Sequence, residues 1–427
     1  MSSDSPLVIV GASYAGLQLA ASARESGYCG RIVMVGEEER LPYQRPPLSK
    51  GLLTGKSSVD MLPLRSDAFY RDSGIETVLG RRAVRIDTSG RRLSLDDGQT
   101  LAYAWLALTT GARCRPLPVP GAELAGVHML RTLDESLALA ASAGQAKTAC
   151  VIGGGFIGLE VAAALQARGV RVTVVEAQSR LLARSVPPIM SDYIRNAHES
   201  RGVRIETGRG LRSLRGEDGG VVAAELADGT AIPCELAVVG IGVIPNDELA
   251  REAGIAVDNG ILVDACGRTS SERVLAAGDV ANMLHAGWGP DGAQGRYRFE
   301  SIQAANDSAK ACASVIAGHP APCQSVPWFW SDQFNLKFQM AGVPQPADQV
   351  VLRGSMDNDK FCLIYLRAGR VAAVHTVNRP ADHMLARRLI AAGAKLSGEQ
   401  AADEQFDLKR LLAGPAVSPP AAPQSRA

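Results

Sequence analysis

Two segments of the chain repeat one pattern of apolar and polar positions. Each has a short apolar run, a glycine-rich turn, an alanine- and leucine-rich stretch that ends at a glycine, and a second apolar run. The first segment begins at Leu7 with LVIVGASYAG, and the second begins at Ala149 with ACVIGGGFIG. The pattern is typical of a βαβ unit, so the repeat predicts two domains that are each built on a mostly parallel sheet.

The pattern changes near residue 322. The segments PWFWSDQF, LKFQMAG and FCLIYLRAGRVAAVHTV alternate apolar and polar residues, which predicts antiparallel strands, and a helix is predicted near residues 381–392. This part of the chain therefore predicts a third, α+β domain. Residues 414–427 contain four prolines and are predicted to be a disordered tail.

Composition and charge exclude several classes of protein. The net charge of +1 argues against a general nucleic-acid binder. The eight cysteines form no CxxC pair and the six histidines form no HExxH motif, so neither a metal site nor a redox dithiol is predicted. The longest apolar run, AVVGIGVI, is too short to cross a bilayer, and the N-terminus does not resemble a signal peptide. We therefore expect a cytoplasmic protein that binds neither membranes nor nucleic acids.

The first glycine-rich turn reads GASYAG from Gly11 to Gly16, with Ser13 at the usual second glycine. Such a turn lets the backbone approach a pyrophosphate at the N-terminus of the following helix. An acid at the end of the next strand can hold an adenosine ribose, and we favour Glu38 over its neighbours Glu37 and Glu39. Taken alone, the turn is equally compatible with a structural tight turn and the acids with a solvated surface.

The second turn, GGGFIG from Gly153 to Gly158, is a complete dinucleotide fingerprint. Glu176 ends the next strand, where a carboxylate accepts from a ribose hydroxyl and repels a 2′-phosphate. This site is therefore predicted to prefer NAD over NADP, although Arg180 and Arg184 could weaken the preference. The predicted fold class is α/β, with two Rossmann-like dinucleotide-binding domains and a C-terminal α+β domain.

Six short segments occur in an order that is specific to one family. They are PYQRPPLSK, TTGA, GGGFIGLE, GIGVIPN, AAGDV and PWFWSDQ. Over nearly its whole length the chain resembles the FAD-dependent NADH:ferredoxin reductases, which serve Rieske oxygenases and class I cytochromes P450. The resemblance implies a glutathione-reductase-like arrangement: an FAD-binding domain of residues 1–114 and 247–321, an NAD-binding domain of residues 115–246, and a C-terminal interface domain of residues 322–413.

The same resemblance assigns a role to the cysteine-free loop between Leu41 and Gly51. Dithiol reductases of the superfamily pass electrons through a cysteine pair, which this loop lacks. The resemblance instead places Lys50 at flavin N5, paired with Glu160, as the two catalytic residues. Electrons would then pass directly from the flavin to a small acidic [2Fe–2S] ferredoxin.

The resemblance also implies three sets of binding residues. Those for FAD are Gly11, Ser13, Ala15, Gly16, Glu38, Arg45, Lys50, Thr110, Gly111, Arg115, Asp279, Ile302 and Trp330. Those for NAD are Gly153, Gly155, Phe156, Ile157, Gly158, Glu160, Glu176, Arg184 and Gly242. Those for ferredoxin docking are Lys310, Lys337 and Lys409, which are otherwise ordinary surface lysines.

The sequence leaves some alternatives open. AAGDV reads as a strand-to-helix turn, in which Asp279 could be a simple N-cap rather than a sugar ligand. Trp330 could be an ordinary core aromatic instead of part of the electron exit. Ala304 and Ser308 stand where family members often carry amides, which puts the usual polar contacts there in doubt. A rubredoxin reductase, or an NADH:quinone or apoptosis-inducing-factor-like flavoprotein, is the alternative function. A monomer is expected.

Overall fold

The computed structural model describes residues 6–287 and 294–412. The predicted tail, residues 414–427, lies outside these ranges. The chain divides into two compact units, one within Met1–Gln324 and Asp332–Asn335, and the other within Ser325–Ser331 and Leu336–Ala427.

The strands of the described residues are, in chain order, β1 (Leu7–Val10), β2 (Ile32–Gly36), β3 (Ile75–Leu79), β4 (Ala83–Asp87), β5 (Arg92–Leu95), β6 (Thr100–Ala102), β7 (Trp105–Leu108), β8 (Ala112–Cys114), β9 (Val127–His128), β10 (Thr148–Ile152), β11 (Arg171–Glu176), β12 (Arg204–Thr207), β13 (Leu211–Glu217), β14 (Gly220–Leu226), β15 (Ala231–Pro233), β16 (Leu236–Val239), β17 (Val243–Pro245), β18 (Ile261–Val263), β19 (Val274–Ala276), β20 (Ala281–His285), β21 (Gly295–Tyr297), β22 (Trp328–Gln333), β23 (Leu336–Gly342), β24 (Gln349–Ser355), β25 (Lys360–Arg367) and β26 (Arg370–Val377).

The α-helices are α1 (Tyr14–Glu25), α2 (Asp67–Asp72), α3 (Leu133–Ala143), α4 (Phe156–Ala167), α5 (Pro188–Glu199), α6 (Glu248–Glu252), α7 (Ile302–Ile316), α8 (Pro380–Ala391) and α9 (Gly398–Ala402). Short 3-10 helices cover Pro46–Ser49, Val59–Met61, Gly278–Val280 and Leu408–Leu412.

The first parallel sheet has the strand order β19-β7-β1-β2-β3. Every residue of β1 is buried, as expected for a strand covered on both faces. Helix α1 packs against α7, and their alanines and leucines form one apolar core with β1 and β2. Because β19 comes from late in the chain, two distant segments complete this sheet.

The second parallel sheet has the order β12-β11-β10-β16-β9. Its central strand β10 is paired in parallel with β11 and with β16, and α4 packs on β10 and β11. The two predicted βαβ units are therefore both present. The predicted fold class is confirmed.

A two-stranded ribbon, β8 with β17, carries the chain between the two parallel sheets. Its strands run antiparallel, with Cys114 opposite Val243. Beside the ribbon, Thr110 Oγ1 donates to the Asn246 carbonyl at 2.7 Å, and Asn246 Nδ2 donates to the Thr110 carbonyl at 2.8 Å. The outgoing and the returning chain are thus hydrogen-bonded to each other.

The second unit contains the antiparallel sheet β22-β23-β26-β25-β24, in agreement with the predicted α+β domain. Helix α8 packs on β23 and β26, and Phe338 and Phe361 are fully buried. Three small sheets complete the described fold: β4-β5-β6, β13-β14-β15 and β18-β20-β21.

Among the described residues, no helix combines the length and the apolar character needed to traverse a bilayer.

Candidate functional site

The first glycine-rich turn joins β1 to α1 in a closely packed arrangement. Gly11 has φ +118°, and a Cβ there would lie 2.1 Å from the Thr109 carbonyl oxygen. A Cβ at Gly16 would lie 2.1 Å from the Gly11 carbonyl oxygen. Ser13 is the N-cap of α1, but its hydroxyl makes no capping hydrogen bond. The first amides of α1 therefore remain available to an anion, which fits a pyrophosphate.

Glu38 lies at the centre of a polar cluster beside this turn. Its Oε1 accepts from Arg45 Nη2 at 2.8 Å, and its Oε2 accepts from the Tyr43 hydroxyl at 2.5 Å. Arg45 also donates from Nε to Ser13 Oγ at 3.3 Å, and from Nη1 to the Arg131 carbonyl at 2.7 Å. The structure thus brings the predicted residues Ser13, Glu38 and Arg45 into one hydrogen-bonded cluster, and it adds Tyr43 to them.

Arg131 was not singled out from the sequence, yet it pairs with a predicted site residue. Its Nη2 lies 2.8 Å from Asp279 Oδ2. It directly precedes the capping box of α3, in which Thr132 and Glu135 exchange hydrogen bonds. The feature of the sequence that could have indicated Arg131 as a site residue is its position directly before this helix-capping motif.

The prediction that AAGDV turns into a helix was wrong. Asp279 lies in the one-turn 3-10 helix Gly278–Val280, which continues into strand β20. Apolar and buried residues on either side keep the chain extended, so no α-helix follows. The Gly278 N–H donates to Ser308 Oγ at 3.0 Å, so the serine at this position holds the turn that carries Asp279.

The cysteine-free loop ends beside helix α4. Pro46 and Pro47 begin a 3-10 helix, because proline fixes φ and needs no amide partner there. At its end, Lys50 Nζ lies 3.0 Å from Glu160 Oε1. The Ser49 hydroxyl donates to Glu160 Oε2 at 2.6 Å.

Burial differs between the two partners of this ion pair. The Glu160 side chain is 3% exposed and that of Lys50 is 20% exposed. A buried carboxylate requires such partners, because an uncompensated charge in a low-dielectric interior is strongly destabilising. A second carboxylate, Asp332 Oδ2, lies 3.9 Å from Lys50 Nζ. Neither Ser49 nor Asp332 was predicted as a site residue.

The second glycine-rich turn is packed like the first. Gly153 has φ +109°, and a Cβ there would lie 2.4 Å from the Gly240 carbonyl oxygen. At Gly155, in contrast, the nearest atom to a Cβ would be 3.9 Å away, so the missing side chain leaves open space. Ile157, just inside α4, is 48% exposed. This open space and exposed apolar side chain fit a dinucleotide.

Glu176 at the end of β11 is oriented by two backbone amides. Its Oε2 accepts from the Gly154 N–H, and its Oε1 accepts from the Gln178 N–H, both at 2.7 Å. Arg180 donates to two backbone carbonyls of its own loop, so its guanidinium is committed to structure. Arg184 Nη2 would lie 3.8 Å from a Cβ at Gly242, which places it across the turn from that glycine.

The remaining predicted residues fall into three groups. Thr110, Gly111, Arg115 and Gly242 belong to the crossing between the parallel sheets, where the Arg115 N–H donates to the Gly242 carbonyl. Ile302 begins α7, Ala15 is buried in α1, and Phe156 begins α4. In the second unit, Trp330 lies on β22 with its ring 5.7 Å from that of Trp328.

The three predicted docking lysines are all exposed. Lys310 lies on α7 with Nζ 3.9 Å from Asp307 Oδ1, so its charge is partly compensated. Lys337 lies on β23, and Lys409 lies in the 3-10 helix Leu408–Leu412.

The eight cysteines, all among the described residues, are free thiols. Burial raises the pKa of Cys362 to about 12, and burial also raises the pKa of the Cys312 thiol. Among the described residues, no group of histidine, cysteine and acidic side chains could hold a metal ion.

Two families match consecutive parts of the chain. Residues 5–309 match the family described as pyridine nucleotide-disulphide oxidoreductase, and residues 328–412 match the family described as reductase C-terminal.

Individual relatives match over almost the whole chain. The chain is 43% identical to rhodocoxin reductase of Rhodococcus erythropolis over 407 residues, which are 95% of this chain and 94% of that protein. A crystal structure of a ferredoxin reductase from Rhodopseudomonas palustris superposes with a TM-score of 0.92 at 41% identity, covering 95% of this chain and 99% of that one. The reductase in the covalent putidaredoxin reductase–putidaredoxin complex gives a TM-score of 0.92 at 34% identity, with coverage of 96% and 98%.

Proposed function

Because the chain belongs to the pyridine nucleotide-disulphide oxidoreductase family, we propose that it passes electrons from NADH through FAD to a [2Fe–2S] ferredoxin. It is an FAD- and NAD(P)H-dependent oxidoreductase, as the sequence predicted. Its similarity to ferredoxin reductases over 95% or more of its length supports the acceptor. The single observation that carries the route is the Lys50–Glu160 pair at the end of a loop without a thiol.

The proposed FAD site is formed by the first glycine-rich turn and its polar cluster. Bound FAD supplies the exchange of a hydride for single electrons. The amides of α1 would hold the pyrophosphate, Glu38 would accept from the adenosine ribose, and Asp279 would accept from the sugar-alcohol chain. The domain assignment that follows from this, with residues 1–114 and 247–321 around FAD and residues 115–246 around NAD, is part of the proposal.

Lys50 is proposed to place its ammonium beside the reacting end of the flavin. A fixed positive charge there stabilises the reduced cofactor, which carries negative charge, more than the oxidised one. Glu160 keeps the ammonium in place and limits the free-energy cost of burying it. Because Glu160 lies in the helix that begins at the second fingerprint, one helix contacts both proposed cofactor sites.

The proposed nicotinamide cofactor is NADH in preference to NADPH. The Glu176 carboxylate is held by the amides of Gly154 and Gln178 at the end of β11. In this position it accepts from a ribose 2′-hydroxyl and repels a 2′-phosphate. Arg180 does not offset the repulsion of a 2′-phosphate, because its guanidinium donates to backbone carbonyls of its own loop.

The proposed partner is small and acidic, and the reductase itself is proposed to be a monomer. Three exposed lysines, Lys310, Lys337 and Lys409, would steer an acidic ferredoxin by long-range attraction. Trp330 is proposed to form part of the exit route for electrons. Catalysis in the cytoplasm remains a prediction.

The deciding experiment follows electrons to candidate acceptors. The purified protein, reconstituted with FAD, is reduced by NADH without oxygen and then mixed in a stopped-flow instrument with a [2Fe–2S] ferredoxin, a rubredoxin or a quinone. We expect stoichiometric reduction by NADH and fastest reoxidation by the ferredoxin. Faster reoxidation by rubredoxin or by the quinone would assign the chain to the corresponding alternative.

A further inference from the structure

The Tyr43 hydroxyl joins three parts of the proposed FAD site. The O–H donates to Glu38 Oε2 at 2.5 Å, and its oxygen accepts from the Leu133 N–H at 2.9 Å and from Arg45 Nη1 at 3.4 Å. The Tyr43 side chain is buried, with 5% of the residue exposed. Leu133 is the first residue of α3, so its amide would otherwise lack a partner inside the helix.

These contacts determine where the hydroxyl proton points and keep the hydroxyl protonated. Because the Leu133 N–H occupies one lone pair, the hydroxyl proton is left for Glu38. Burial raises the pKa of Tyr43 well above its usual value, so the hydroxyl remains a donor at any physiological pH. The guanidinium of Arg45 lies 5.1 Å from the centre of the Tyr43 ring, which further restricts the loop.

The consequence concerns Glu38. Each carboxylate oxygen has two acceptor positions, and the structure fills one on each oxygen, from Tyr43 and from Arg45. The carboxylate plane is therefore fixed, while one acceptor position on each oxygen remains for two adjacent hydroxyl groups. Two adjacent hydroxyls are what an adenosine ribose presents.

We propose that Tyr43 is a positioning residue for the adenosine half of FAD, and that it acts by orienting the Glu38 carboxylate toward the ribose hydroxyls. This inference rests on the proposed FAD site and adds a requirement to it. If Tyr43 acts through Glu38, loss of the Tyr43 hydroxyl weakens FAD binding only when the Glu38 carboxylate is present.

The test is a double-mutant cycle on the dissociation constant of FAD, measured by flavin fluorescence with apoprotein. Tyr43→Phe is expected to weaken binding about tenfold, the effect of one hydrogen bond to a charged group. In the Glu38→Gln background the same substitution is expected to weaken binding by less than about threefold, because the two residues act as one unit. Equal losses in both backgrounds would overturn the proposal.

A second readout isolates the ribose. Wild-type apoprotein is expected to prefer FAD over an FAD analogue that lacks the adenosine 2′-hydroxyl, and Tyr43→Phe is expected to lose most of that preference. A structural tyrosine would leave the ratio of the two dissociation constants unchanged. Such an outcome would also overturn the proposal.

A matched control is Tyr103→Phe. Tyr103 is likewise buried in the first unit, and its hydroxyl donates to the Asp87 carbonyl at 3.5 Å. This variant is expected to bind FAD like the wild type. If wild-type apoprotein does not bind FAD, the proposed function fails; if it binds FAD and Tyr43→Phe binds equally well, only the role of Tyr43 fails.

Discussion

Lys50 Nζ lies 3.0 Å from Glu160 Oε1, although the two residues are on a loop and a helix that are distant in the chain. If Lys50 acts on the flavin, Lys50→Met should lower the flavin reduction potential by roughly 30–65 mV, from ~1.5–3 kcal/mol for a hydrogen bond to a charged group. Hydride transfer from NADH should also slow. Redox titration and stopped-flow reduction measure both effects.

The two partners of this pair should respond differently. Glu160→Ala removes a negative neighbour of the ammonium, so it should raise the potential or leave it unchanged. As a control, Lys56→Met, which changes an exposed lysine just beyond the loop, should change neither the potential nor the hydride rate. Equal potentials in Lys50→Met and the wild type would mean that Lys50 is a solvated side chain without influence on the cofactor.

Glu176 should determine the choice of nucleotide. Glu176→Ala removes a ribose acceptor, so KM for NADH should rise roughly 10- to 100-fold, from ~1.5–3 kcal/mol for a hydrogen bond to a charged group. KM for NADPH should rise less or fall, because the repelling charge is gone. Steady-state kinetics with both nucleotides test this, with the exposed Glu199→Ala as control. A wild type that prefers NADPH would contradict the assignment.

Arg131 should contribute to FAD retention although no motif marked it. Arg131→Ala leaves the Asp279 carboxylate without the guanidinium that now lies 2.8 Å from it. A partly buried carboxylate without its partner costs about 1–3 kcal/mol, so the variant should release FAD more readily. The fraction of flavin that passes a desalting column measures this. Arg113→Ala, which breaks an exposed ion pair with Glu248, serves as control and should retain FAD.

Acid should destabilise the first unit through His198. Burial lowers the pKa of His198 to about 4, from an ordinary value of 6.5, and its Nε2 is 2.9 Å from Gln333 Oε1. Because the unfolded chain binds the proton more readily, this contribution is complete above pH ~6.5 and is lost as pH falls toward ~4. Between about pH 7.5 and about pH 5 the loss is about 2 kcal/mol.

The variant His198→Asn isolates this contribution. It should be less stable than the wild type near neutrality, but its stability should fall less on acidification. Urea unfolding followed by circular dichroism at the two pH values gives the comparison. Parallel losses in the variant and the wild type would assign the acid sensitivity to other groups.

No cysteine should be needed for electron transfer. Replacing each of the eight cysteines by alanine, one at a time, should leave NADH-dependent ferredoxin reduction largely intact where the variant folds. The buried Cys312 contacts the Ala276 carbonyl, so its replacement should lower stability without altering turnover of the folded protein. One cysteine variant that binds FAD, accepts hydride and cannot reduce ferredoxin would overturn direct transfer.

The sequence was most informative where function depends on local pattern. Each glycine-rich turn lies between a strand and a helix, so the repeat predicted both parallel sheets. Asp279 shows the limit of this reasoning, because an acid after a small-residue turn is compatible with a helix cap and with a 3-10 turn between strands. The apolar residues of β20 favour the second, and only the paired strands made this visible.

Contacts between distant residues were the other limit. Ser49 reaches Glu160, and Arg131 reaches Asp279, across more than a hundred positions of the chain. The periodic pattern of apolar and polar residues along the chain does not indicate contacts between such distant residues. Lys50 and Glu160 were paired in advance only because the order of motifs resembled a known family. Tyr43 lay inside a recognised motif, yet its three-way contact depends on the N-terminus of a helix that begins 90 residues later.

The ribbon of β8 and β17 limits how the two parallel sheets can move relative to each other. A single linker permits rotation about any axis, whereas two strands that are hydrogen-bonded side by side resist twisting and sliding. The motion that remains is a hinge-like bend of the ribbon about one axis. Lys50 and Glu160 lie on opposite sides of the ribbon. A bend that moves the two parallel sheets apart would therefore separate the Lys50 ammonium from the Glu160 carboxylate. If Lys50 acts on the flavin as proposed, its positive charge would be least compensated by Glu160 when the two sheets are bent apart.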